Sequence, residues 1–456
     1  MKPYSVTIPS DDWAEAKAAL FTDDSCENAG VFLCGKSESD SEVRLLARRF
    51  VSVPSHQYVQ RLEYHLEIAP AFYNQIITLC LREHLNPVII HSHPKHRAAF
   101  YSPSDDYGES HLLKVLEDLL PGKTVASLVA TPVEVIGRRR MKKKFKPLHT
   151  IRIVGPKVLH STSGESKAAG GAQDIGEQYD RQVRAFGPES QQLLRSLRVG
   201  VVGVGGTGSI VAEQLARVGV GQLIIIDNDV VDLTNLSRVV GATRRDIGKA
   251  KIEVAKRSLA RSGGSKITAL DDNAIRQDVL LKLRDCDLVF SCVDNDRTRA
   301  VLNRFAYQYL IPVIDIGVRL DARSGTVRAA AGRVSIVGTG ATCLRCSHHV
   351  DPERIRAESL PEGEREKLEE EGYIMGVTEP APAVISLNAT IAGLGVTGFL
   401  NLFTNLTGGL QPTGQVYDAT SGSVFPVSAV HELGCDICDA AKGVKALGDY
   451  QIVSAY

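Results

Sequence analysis

The chain has 456 residues, which is enough for two or three domains. Lys and Arg number 53, as do Asp and Glu, so the zero formal net charge removes an overall electrostatic argument for nucleic acid or an anionic membrane. The first residues, MKPYSVTIPSDDW, lack the apolar core of a signal peptide. Residues 381–403 come closest to a membrane-spanning segment, but Asn388 and several Gly and Pro residues interrupt their apolar run. We therefore expect a cytoplasmic protein that does not cross a membrane.

The upstream part of the chain mixes strand and helix signals. Short apolar runs at Gly30–Cys34 and Pro87–Ile90 predict buried strands, and the apolar spacing over Pro70–His84 predicts a helix between them. Residues 157–178 are rich in Ser, Gly and Ala and predict a linker. We expect an N-terminal mixed α/β domain over residues 1–156.

Downstream, over residues 179–456, β-branched runs alternate with helical segments. This alternation predicts a Rossmann-like domain with a mostly parallel sheet and crossover helices. The predicted strands are Val199–Val204, Leu223–Ile226, Ile267–Leu270, Asp287–Ser291 and Pro312–Ile316.

A basic run, RRRMKKKFK, extends from Arg138 to Lys146. Such runs are usually solvated loops or edge strands, and the alternative is a patch for an acidic partner. The neutral overall charge disfavours nucleic acid as that partner.

A glycine-rich turn, VGVVGVGGTG, follows the first of the downstream strands. Glycines let the backbone approach phosphate closely, and the N-terminus of the next helix adds unpaired N–H groups; the glycines concerned are Gly203, Gly205, Gly206 and Gly208. Asp227 ends the next strand, where an acid can accept hydrogen bonds from ribose hydroxyls. The pattern predicts nucleotide binding and leaves a nicotinamide or flavin dehydrogenase open.

Four polar residues near the same sheet edge favour ATP chemistry instead. Asn235 and Arg238 come just past the second strand, Lys251 follows a glycine, and Asp294 follows the strand LVFSCV. Cations offset the charge that develops on a triphosphate during adenylyl transfer, and a carboxylate can hold Mg²⁺. A dehydrogenase needs no such group around its phosphates.

With these motifs in this order, the chain resembles the ThiF/MoeB/ubiquitin-activating superfamily over about residues 176–445. The resemblance rests on YDRQVRAFG, GVGGTG, Asp227 with Asp229, TNLSR, GKAK and CVDN. It implies ATP-dependent adenylation of the C-terminal carboxylate of a ubiquitin-like or sulfur-carrier protein that ends in glycine. It further implies that Asp227 binds ribose and Asp294 holds Mg²⁺, with phosphates bound by Asn235, Arg238 and Lys251. Arg181 matches an arginine that reaches the ATP of the opposite subunit, which implies a homodimer.

Two CxxC pairs suit tetrahedral thiolate coordination of Zn²⁺ in a closed, structural site: Cys343, Cys346, Cys435 and Cys438. The alternatives are four free cysteines or a redox pair. The resemblance also points to zinc at this position.

Many members of the superfamily carry a nucleophilic cysteine in the segment that here reads EEEGYIMGVTEP, and no cysteine occurs from Ser347 to Gly434. Three outcomes follow. The acyl-adenylate passes directly to a partner's thiol, which we favour; Thr378 accepts it as an oxyester; or the enzyme stops at the adenylate or releases another product. An unactivated hydroxyl is a poor nucleophile, which disfavours Thr378.

A second candidate metal site lies in the upstream domain. His91 and His93 flank a serine in an extended segment, so their side chains point to one face, and Asp105 offers a third ligand. Three protein ligands and one open position are typical of catalytic zinc. Glu27 could take the proton of a bound water and deliver it to a leaving amine, and Ser102 could stabilise the oxyanion.

HSHP followed by SxxD, with the upstream glutamate, resembles the JAB/MPN metallopeptidase motif, the JAMM arrangement, over about residues 5–150. The resemblance implies zinc-dependent hydrolysis of a peptide or isopeptide bond at the C-terminus of a ubiquitin-like protein. Because the loop before Ser102 varies in length among such proteins, the choice of Asp105 over Asp106 stays open. All five positions are present, so we expect activity.

Both halves thus indicate the same kind of substrate, and we expect a bifunctional enzyme that uses ATP, Mg²⁺ and two zinc ions. The carrier and a separate conjugating enzyme would act in trans. The alternatives are sulfur-carrier adenylation in cofactor or cysteine biosynthesis, a scaffold that binds a ubiquitin-like protein without chemistry, and a dinucleotide oxidoreductase.

Overall fold

The computed structural model describes most of the chain. The described residues are 2–22, 25–63, 65–141, 144–162, 175–323, 326–361, 363–365, 367, 382–404, 406–410, 412–439 and 443–450. They form two compact units. The first lies within residues 1–173, with 308–310 and 445–452, and the second contains most of the rest.

The first unit is built on a mixed nine-stranded sheet with the strand order β11-β10-β1-β3-β2-β6-β7-β8-β9. Its strands are β1 (Tyr4–Pro9), β2 (Ala29–Glu38), β3 (Val43–Ser52), β6 (Asn86–Ser92), β7 (Ala126–Ala130), β8 (Val135–Met141), β9 (Lys144–Pro147), β10 (Thr150–Val154) and β11 (Val158–Thr162). A separate ribbon pairs β4 (Tyr58–Arg61) with β5 (Leu66–Ile68), and the helices are α1 (Ser10–Leu20), α2 (Pro70–Arg82) and α3 (Pro103–Leu119).

Both faces of this sheet are covered, which follows from the side-chain alternation of its central strands. In β2, Phe32 and Cys34 join an apolar cluster on one face, which Trp13 of α1 also contacts. Val31 and Leu33 join the cluster on the other face, with α2 and α3. The continuous apolar run predicted as a buried strand is therefore buried on both sides.

The structure differs from the prediction at the start of the linker. The predicted linker begins too early, because residues 158–162 form β11, which pairs antiparallel with β10. Residues 163–174 of that linker lie outside the described residues. The described residues of the basic run, 138–141 and 144–146, lie in the paired strands β8 and β9 at the edge of the sheet, which agrees with the edge-strand interpretation, and Arg138 among them is buried at 7% exposure. The other domain bounds stay a prediction.

The second unit is built on an eight-stranded sheet with the order β14-β13-β12-β15-β16-β17-β18-β19. Its strands are β12 (Arg198–Val202), β13 (Gln222–Ile226), β14 (Lys266–Leu270), β15 (Leu288–Ser291), β16 (Val313–Arg323), β17 (Thr326–Val337), β18 (Gly414–Asp418) and β19 (Ser423–Val427). Its helices are α4 (Asp180–Phe186), α5 (Pro188–Ser196), α6 (Gly206–Arg217), α7 (Lys251–Leu259), α8 (Gln277–Leu280), α9 (Asp296–Tyr309), α10 (Pro352–Glu358) and α11 (Ile385–Phe403).

The pairs among β12 to β16 are parallel and confirm the predicted mostly parallel sheet, whereas β17 to β19 add an antiparallel extension. Numbered from β12, the parallel strands run 3-2-1-4-5, the order of a doubly wound sheet. The order reverses between β12 and β15. In such sheets, ligands bind at this switch point, beyond the carboxyl ends of the strands.

Helix α11 corrects the expectation that no segment is long and apolar enough to cross a membrane. Over an 18-residue stretch of this 19-residue helix the mean hydropathy is 1.4, and by length and composition alone the helix is apolar enough to cross a membrane. The same helix contacts α6, β16 and β17, and 56% of that stretch is buried. A core helix passes the same test of length and composition, so the apolar character alone is weak evidence for a membrane.

A buried charge cluster connects β3 and β10 in the first unit. Glu42 lies 2.6 Å from Arg44 Nε and 3.0 Å from Arg152 Nη1, and all three side chains are nearly inaccessible. Burial would raise the pKa of Glu42, but the two guanidinium groups hold it well below its usual range. The ionised carboxylate therefore stabilises the folded state above about pH 4.3, and this contribution is lost as the pH falls below that value.

We expect Glu42→Gln to lower the free energy of unfolding of the first unit by about 3 kcal/mol, because it leaves two buried cations without a charge partner. Urea unfolding followed by the fluorescence of Trp13, the single tryptophan, reports on this unit. Glu38→Gln is the control, since Glu38 pairs with exposed lysines and should cost under about 0.5 kcal/mol. Equal losses in the two variants would contradict the prediction.

Candidate functional sites

The glycine-rich turn connects β12 to α6 at the switch point of the parallel sheet. Gly203 has a φ of +85°, and a Cβ there would lie 2.8 Å from the carbonyl oxygen of Cys292. A Cβ on Gly208 would lie 1.8 Å from the carbonyl oxygen of Gly203. These two positions accept only glycine, because the turn folds back on itself and lies against the end of β15.

Asp227 holds this turn from the end of β13. Its carboxylate oxygens accept hydrogen bonds from the backbone N–H of Val204 at 2.7 Å and of Asp229 at 2.9 Å. Burial raises the pKa of Asp227, and these backbone hydrogen bonds act in the opposite direction. A carboxylate has further lone pairs, so the same side chain remains able to accept a ribose hydroxyl.

Lys251 and Asn235 lie on the loops that follow β13. Lys251 begins α7, and its Nζ lies 2.8 Å from Asp229, with the lysine side chain 13% exposed. Asn235 is buried, and its backbone N–H donates at 2.9 Å to the side chain of Asp232, which caps a short turn. The structure therefore places a nearly buried cation beside the two predicted aspartates and holds Asn235 in place through the cap of Asp232.

Arg238 follows the same short turn and lies over the start of α6. A Cβ on Gly206 would lie 3.1 Å from Cδ of Arg238 and 2.5 Å from Nδ2 of Asn388. Arg238 also donates to the carbonyl oxygen of Thr234 at 3.0 Å. The arginine and the glycine turn are thus brought together, as phosphate binding requires.

Asp294 is exposed and follows the end of β15 by three residues. Cys292, two residues before it, donates its backbone N–H to Val202 at 2.8 Å, which places this loop beside the glycine turn. Arg181 is exposed on α4. Its predicted contact with the nucleotide of a second subunit stays a prediction.

The four predicted zinc-binding cysteines converge in the second unit. All four Sγ atoms lie within 4.8 Å of one another, with 3.8 Å between Cys343 and Cys435 and 3.6 Å between Cys346 and Cys438. Zn–S bonds of about 2.3 Å in a tetrahedron place the sulfurs about 3.8 Å apart, so the cluster fits zinc without rearrangement. All four cysteines are free of disulfides.

Hydrogen bonds to sulfur favour thiolate character in this cluster. The backbone N–H of Cys346 donates to Cys343 at 3.4 Å, and that of Glu432 donates to Cys346 at 3.4 Å. A hydrogen bond from Cys438 lowers the pKa of Cys343 to about 5, whereas burial raises that of Cys346 to about 11. These hydrogen bonds favour the thiolate form of Cys343, the form in which cysteine binds a metal.

The predicted metal ligands of the first unit also converge. Asp105 lies 3.2 Å from Nε2 of His91 and 3.5 Å from Nε2 of His93, and Glu27 lies 3.4 Å from Nε2 of His93. Tetrahedral zinc with bonds of 2.0–2.2 Å separates its ligand atoms by about 3.4 Å. The three side chains with ligand spacing, His91, His93 and Asp105, therefore fit a zinc ion.

The structure separates Asp105 from its neighbour Asp106. Asp105 faces both histidines, whereas Asp106 is paired with Arg138 on β8. Ser102 is the N-cap of α3: its Oγ accepts from the N–H of Asp105 at 3.1 Å, and its own N–H donates to Asp105 at 2.7 Å. The serine thereby orients the carboxylate ligand and keeps its hydroxyl proton for another acceptor.

Charges at this site shift one another's pKa values. Burial would lower the pKa of His91, but the hydrogen bond and charge of Asp105 raise it overall. Burial would raise the pKa of Asp105, but both histidines bring it well below its usual range. Burial raises the pKa of Glu27, against the attraction of both histidines. Burial thus favours the protonated form of Glu27, and an acid of this kind is suited to taking up and delivering a proton.

A cavity of about 1150 Å³ opens beside this cluster within the first unit. Glu27, His91 and Asp105 line part of it, together with the apolar side chains of Ile68 and Phe72. It is large enough to receive an extended peptide segment next to the metal ligands.

A doubly wound sheet with a glycine turn at its switch point defines the second unit as a Rossmann-type nucleotide-binding domain. Comparison with known proteins narrows this class, because the ThiF family model matches residues 179–431, more than half of the chain. The chain belongs to the ThiF family. This membership favours the chemistry of that family over the dinucleotide oxidoreductase that the glycine pattern left open.

Two curated relatives illustrate the similarity. The ubiquitin-like modifier-activating enzyme 5 of Drosophila persimilis is 30% identical over 200 residues, 41% of this chain and 49% of that protein. The molybdopterin-synthase adenylyltransferase of Escherichia coli K12 is 32% identical over 174 residues, 37% of this chain and 66% of that protein. The chain thus spans about half to two thirds of these relatives. A crystal structure of E. coli MccB matches 58% of this chain and 75% of its own, with 20% identity and a TM-score of 0.47.

Sequence reasoning missed two residues at these sites. Asn388 was treated only as an interruption of an apolar run, yet its buried amide lies against Gly206. Glu109, one turn beyond Asp105 on α3, is buried beside His91. Asn388 could have been found from the sequence, because it is a polar residue within an otherwise apolar helix. Glu109 could not, because an acid on an amphipathic helix is usually a surface residue.

We expect Cys435→Ser to remove one zinc ion per chain and to lower the melting temperature of the second unit, because three thiolates hold zinc far less tightly than four. Zinc per chain after dialysis, together with the thermal unfolding curve, measures both effects. Cys26→Ser is the control, since Cys26 is remote in sequence from the cluster and should retain the metal. Equal zinc content in the two variants would exclude zinc from this cluster.

Proposed function

We propose that this protein adenylates the C-terminal carboxylate of a ubiquitin-like or sulfur-carrier protein. The observation that carries the proposal is the position of the glycine turn at the switch point of a ThiF-family sheet, with Lys251 and Arg238 beside it. The names of the two relatives, an activating enzyme for a ubiquitin-like modifier and an adenylyltransferase, support the same chemistry.

The reaction joins the carrier's carboxylate oxygen to the α-phosphorus of ATP and breaks the bond to the β-phosphate, so pyrophosphate leaves. In this proposal the backbone N–H groups at the start of α6 and the side chains of Asn235, Arg238 and Lys251 bind the phosphates. Asp227 accepts hydrogen bonds from the ribose. Asp294 would hold Mg²⁺, which supplies additional positive charge to the triphosphate.

The fate of the adenylate is set by the missing crossover cysteine. No cysteine lies between Ser347 and Gly434, and the segment EEEGYIMGVTEP with Thr378 lies outside the described residues. We therefore favour direct transfer of the acyl group to the thiol of a separate conjugating enzyme. Thiocarboxylate formation on a sulfur carrier is the alternative that the molybdopterin-synthase relative supports.

The proposed assembly is a homodimer in which Arg181 reaches the nucleotide bound by the other subunit. An arginine on an exposed helix is available for such a contact, since a guanidinium binds phosphate through two parallel hydrogen bonds. The cytoplasmic location expected from the sequence belongs to the same proposal.

A second activity is proposed for the first unit: zinc-dependent cleavage of a peptide or isopeptide bond at the C-terminus of the carrier. The geometry of His91, His93 and Asp105, with Glu27 at 3.4 Å from one histidine, supports it. Zinc held there would lower the pKa of a water molecule and polarise the scissile carbonyl. Glu27 takes the proton of the attacking water and gives it to the leaving amine, and Ser102 donates to the developing oxyanion.

The cavity beside Glu27 would receive the extended tail of the carrier. Cleavage there would either expose the terminal glycine before activation or release the carrier from a target. A scaffold that only binds the carrier is the remaining alternative. The cluster of Glu27, His91, His93 and Asp105 disfavours it, because a binding surface does not need buried ionisable groups.

We expect Lys251→Ala to reduce ATP–pyrophosphate exchange by about 100-fold or more, since it removes a cation that stabilises the charge of the transition state. The assay uses a panel of small ubiquitin-like proteins that end in two glycines. Lys249→Ala is the control, because Lys249 pairs with Asp246 instead and should leave exchange within about twofold. Exchange that depends equally on both lysines would contradict the assigned site.

Intact mass of every protein after that reaction distinguishes the outcomes for the acyl group. No added mass on this chain supports direct transfer to a partner, and a mass gain equal to the carrier shows an oxyester or an unexpected thioester. A carrier heavier by the exchange of oxygen for sulfur, when a sulfur donor is present, supports the sulfur-carrier alternative.

We expect Glu27→Gln to abolish cleavage of a carrier with a C-terminal extension, by about 100-fold to 10,000-fold, while leaving zinc content unchanged, because the amide cannot accept the water proton. Mass spectrometry of the carrier and zinc analysis of the protein measure the two effects. Glu83→Gln, which alters a surface pair with Arg49, is the control. Cleavage that persists in Glu27→Gln or after chelation of zinc would refute the peptidase assignment.

A further inference from the structure

We propose that Glu109 is a positioning residue of the N-terminal metal centre, which accepts a hydrogen bond from Nδ1 of His91 and thereby presents Nε2 of that ring to zinc. The inference rests on the proposed peptidase function and deepens it. It assigns a role to a buried acid that the sequence motif does not include.

The two nitrogens of the His91 ring face two different carboxylates. Nε2 lies 3.2 Å from Asp105, on the side of the other candidate ligands. Nδ1 lies 3.8 Å from Oε1 of Glu109, which is about 1 Å longer than a hydrogen bond. Glu109 follows Asp105 by four residues on α3, so the two acids share a face of that helix and bracket the ring.

The second oxygen of Glu109 is fixed firmly. Oε2 accepts hydrogen bonds from Ser127 Oγ at 2.8 Å and from Arg138 Nε at 2.9 Å, and Arg138 Nη2 lies 2.9 Å from it as an ion pair. Oε1 is buried and has no hydrogen-bond partner among the described residues, and the Glu109 side chain is 7% exposed. A buried carboxylate oxygen without a donor is costly, and Nδ1 of His91 faces it at 3.8 Å, so a shift of about 1 Å would supply the donor.

Arg138 is itself held rigidly, which makes Glu109 a fixed point. Its guanidinium carbon lies 3.6 Å from the ring centroid of Tyr101 and 3.7 Å from that of Phe145, so the group is held between two aromatic faces. Asp106 forms a further ion pair with it. The cation from the basic run therefore anchors the acid beside the metal ligands.

Neutral imidazole carries its proton on one nitrogen and a lone pair on the other. A carboxylate that binds the proton on Nδ1 fixes the tautomer with the lone pair on Nε2, orients the ring and raises its basicity toward a metal. His93 lacks such support, because its Nδ1 is buried without a hydrogen-bond partner among the described residues. Glu109 thus makes the two histidines unequal ligands.

The test measures zinc binding by the full-length protein in competition with a chelator. We expect Glu109→Gln to weaken the N-terminal site by about 10-fold to 100-fold, the usual effect of losing such a partner. The four-cysteine site serves as internal reference, since its ligands are separate and its affinity should not change. Glu117→Gln is the matched control: it lies on α3 and pairs with Arg140 of β8, as Glu109 pairs with Arg138.

Ring-nitrogen NMR of the histidine-labelled, zinc-loaded protein supplies a readout that a purely structural role would not move. In the wild type we expect a protonated, hydrogen-bonded Nδ1 and a metal-bound Nε2 on His91. In Glu109→Gln the signal of the Nδ1 proton should shift toward that of a weaker hydrogen bond. Thermal unfolding of both variants shows that each is folded before the comparison is made.

The outcomes separate this inference from the proposed function. If the wild type binds no zinc at the N-terminal site, the peptidase proposal fails and this inference fails with it. If the wild type binds zinc and Glu109→Gln binds it equally well with an unchanged Nδ1 signal, only the inference is overturned, and Glu109 is a structural partner of Arg138. Metal bound at Nδ1 would also overturn it.

Discussion

Both units depend on one constraint, which is the free-energy cost of burying an ionised carboxylate. Such a group is stable in the interior only when hydrogen-bond donors or cations are held in place around it. Asp227 is met by two backbone N–H groups, and this contact defines the path of the glycine turn. Glu42 is met by two guanidinium groups, as is Asp315, which lies between Arg299 and Arg333 in the second unit. Each acid therefore connects elements that are distant in the chain, and the contact of Asp227 does so within the candidate nucleotide site.

The parallel strands could be predicted because both faces of a doubly wound sheet are covered, so each strand is a continuous β-branched run. Predictions at the ends of elements were weaker. Strand β16 continues well beyond the predicted Pro312–Ile316, since residues up to Arg323 pair with β17. In that extension apolar, small and charged residues are mixed, and only the presence of β17 makes it a strand. The same reason applies to β11, whose pairing with β10 decides its structure.

At the candidate sites, the sequence predicted the residues whose short spacing along the chain brings them together without any tertiary contact. These are two histidines on one face of a strand, two CxxC pairs and the glycine turn. The sequence indicated Asp105 as the third ligand and left its neighbour Asp106 as the alternative, because both lie in the first turn of α3. The arrangement of Arg138 and the histidines around that turn separates the two acids. Glu109 was beyond prediction for a similar reason, since its role depends on side chains from β7 and β8.

The four-cysteine cluster has a consequence for chain length. Cys343 and Cys435 are 92 residues apart, so a metal that joins them closes a long loop containing α11 and the antiparallel edge of the sheet. The entropy lost on closing a flexible loop grows only with the logarithm of its length, by about 0.6 kcal/mol for each doubling. Segments inserted between the two CxxC pairs therefore add little to the cost of closure. The length of the stretch between the two CxxC pairs is therefore only a weak constraint on a metal that the four thiolates would bind.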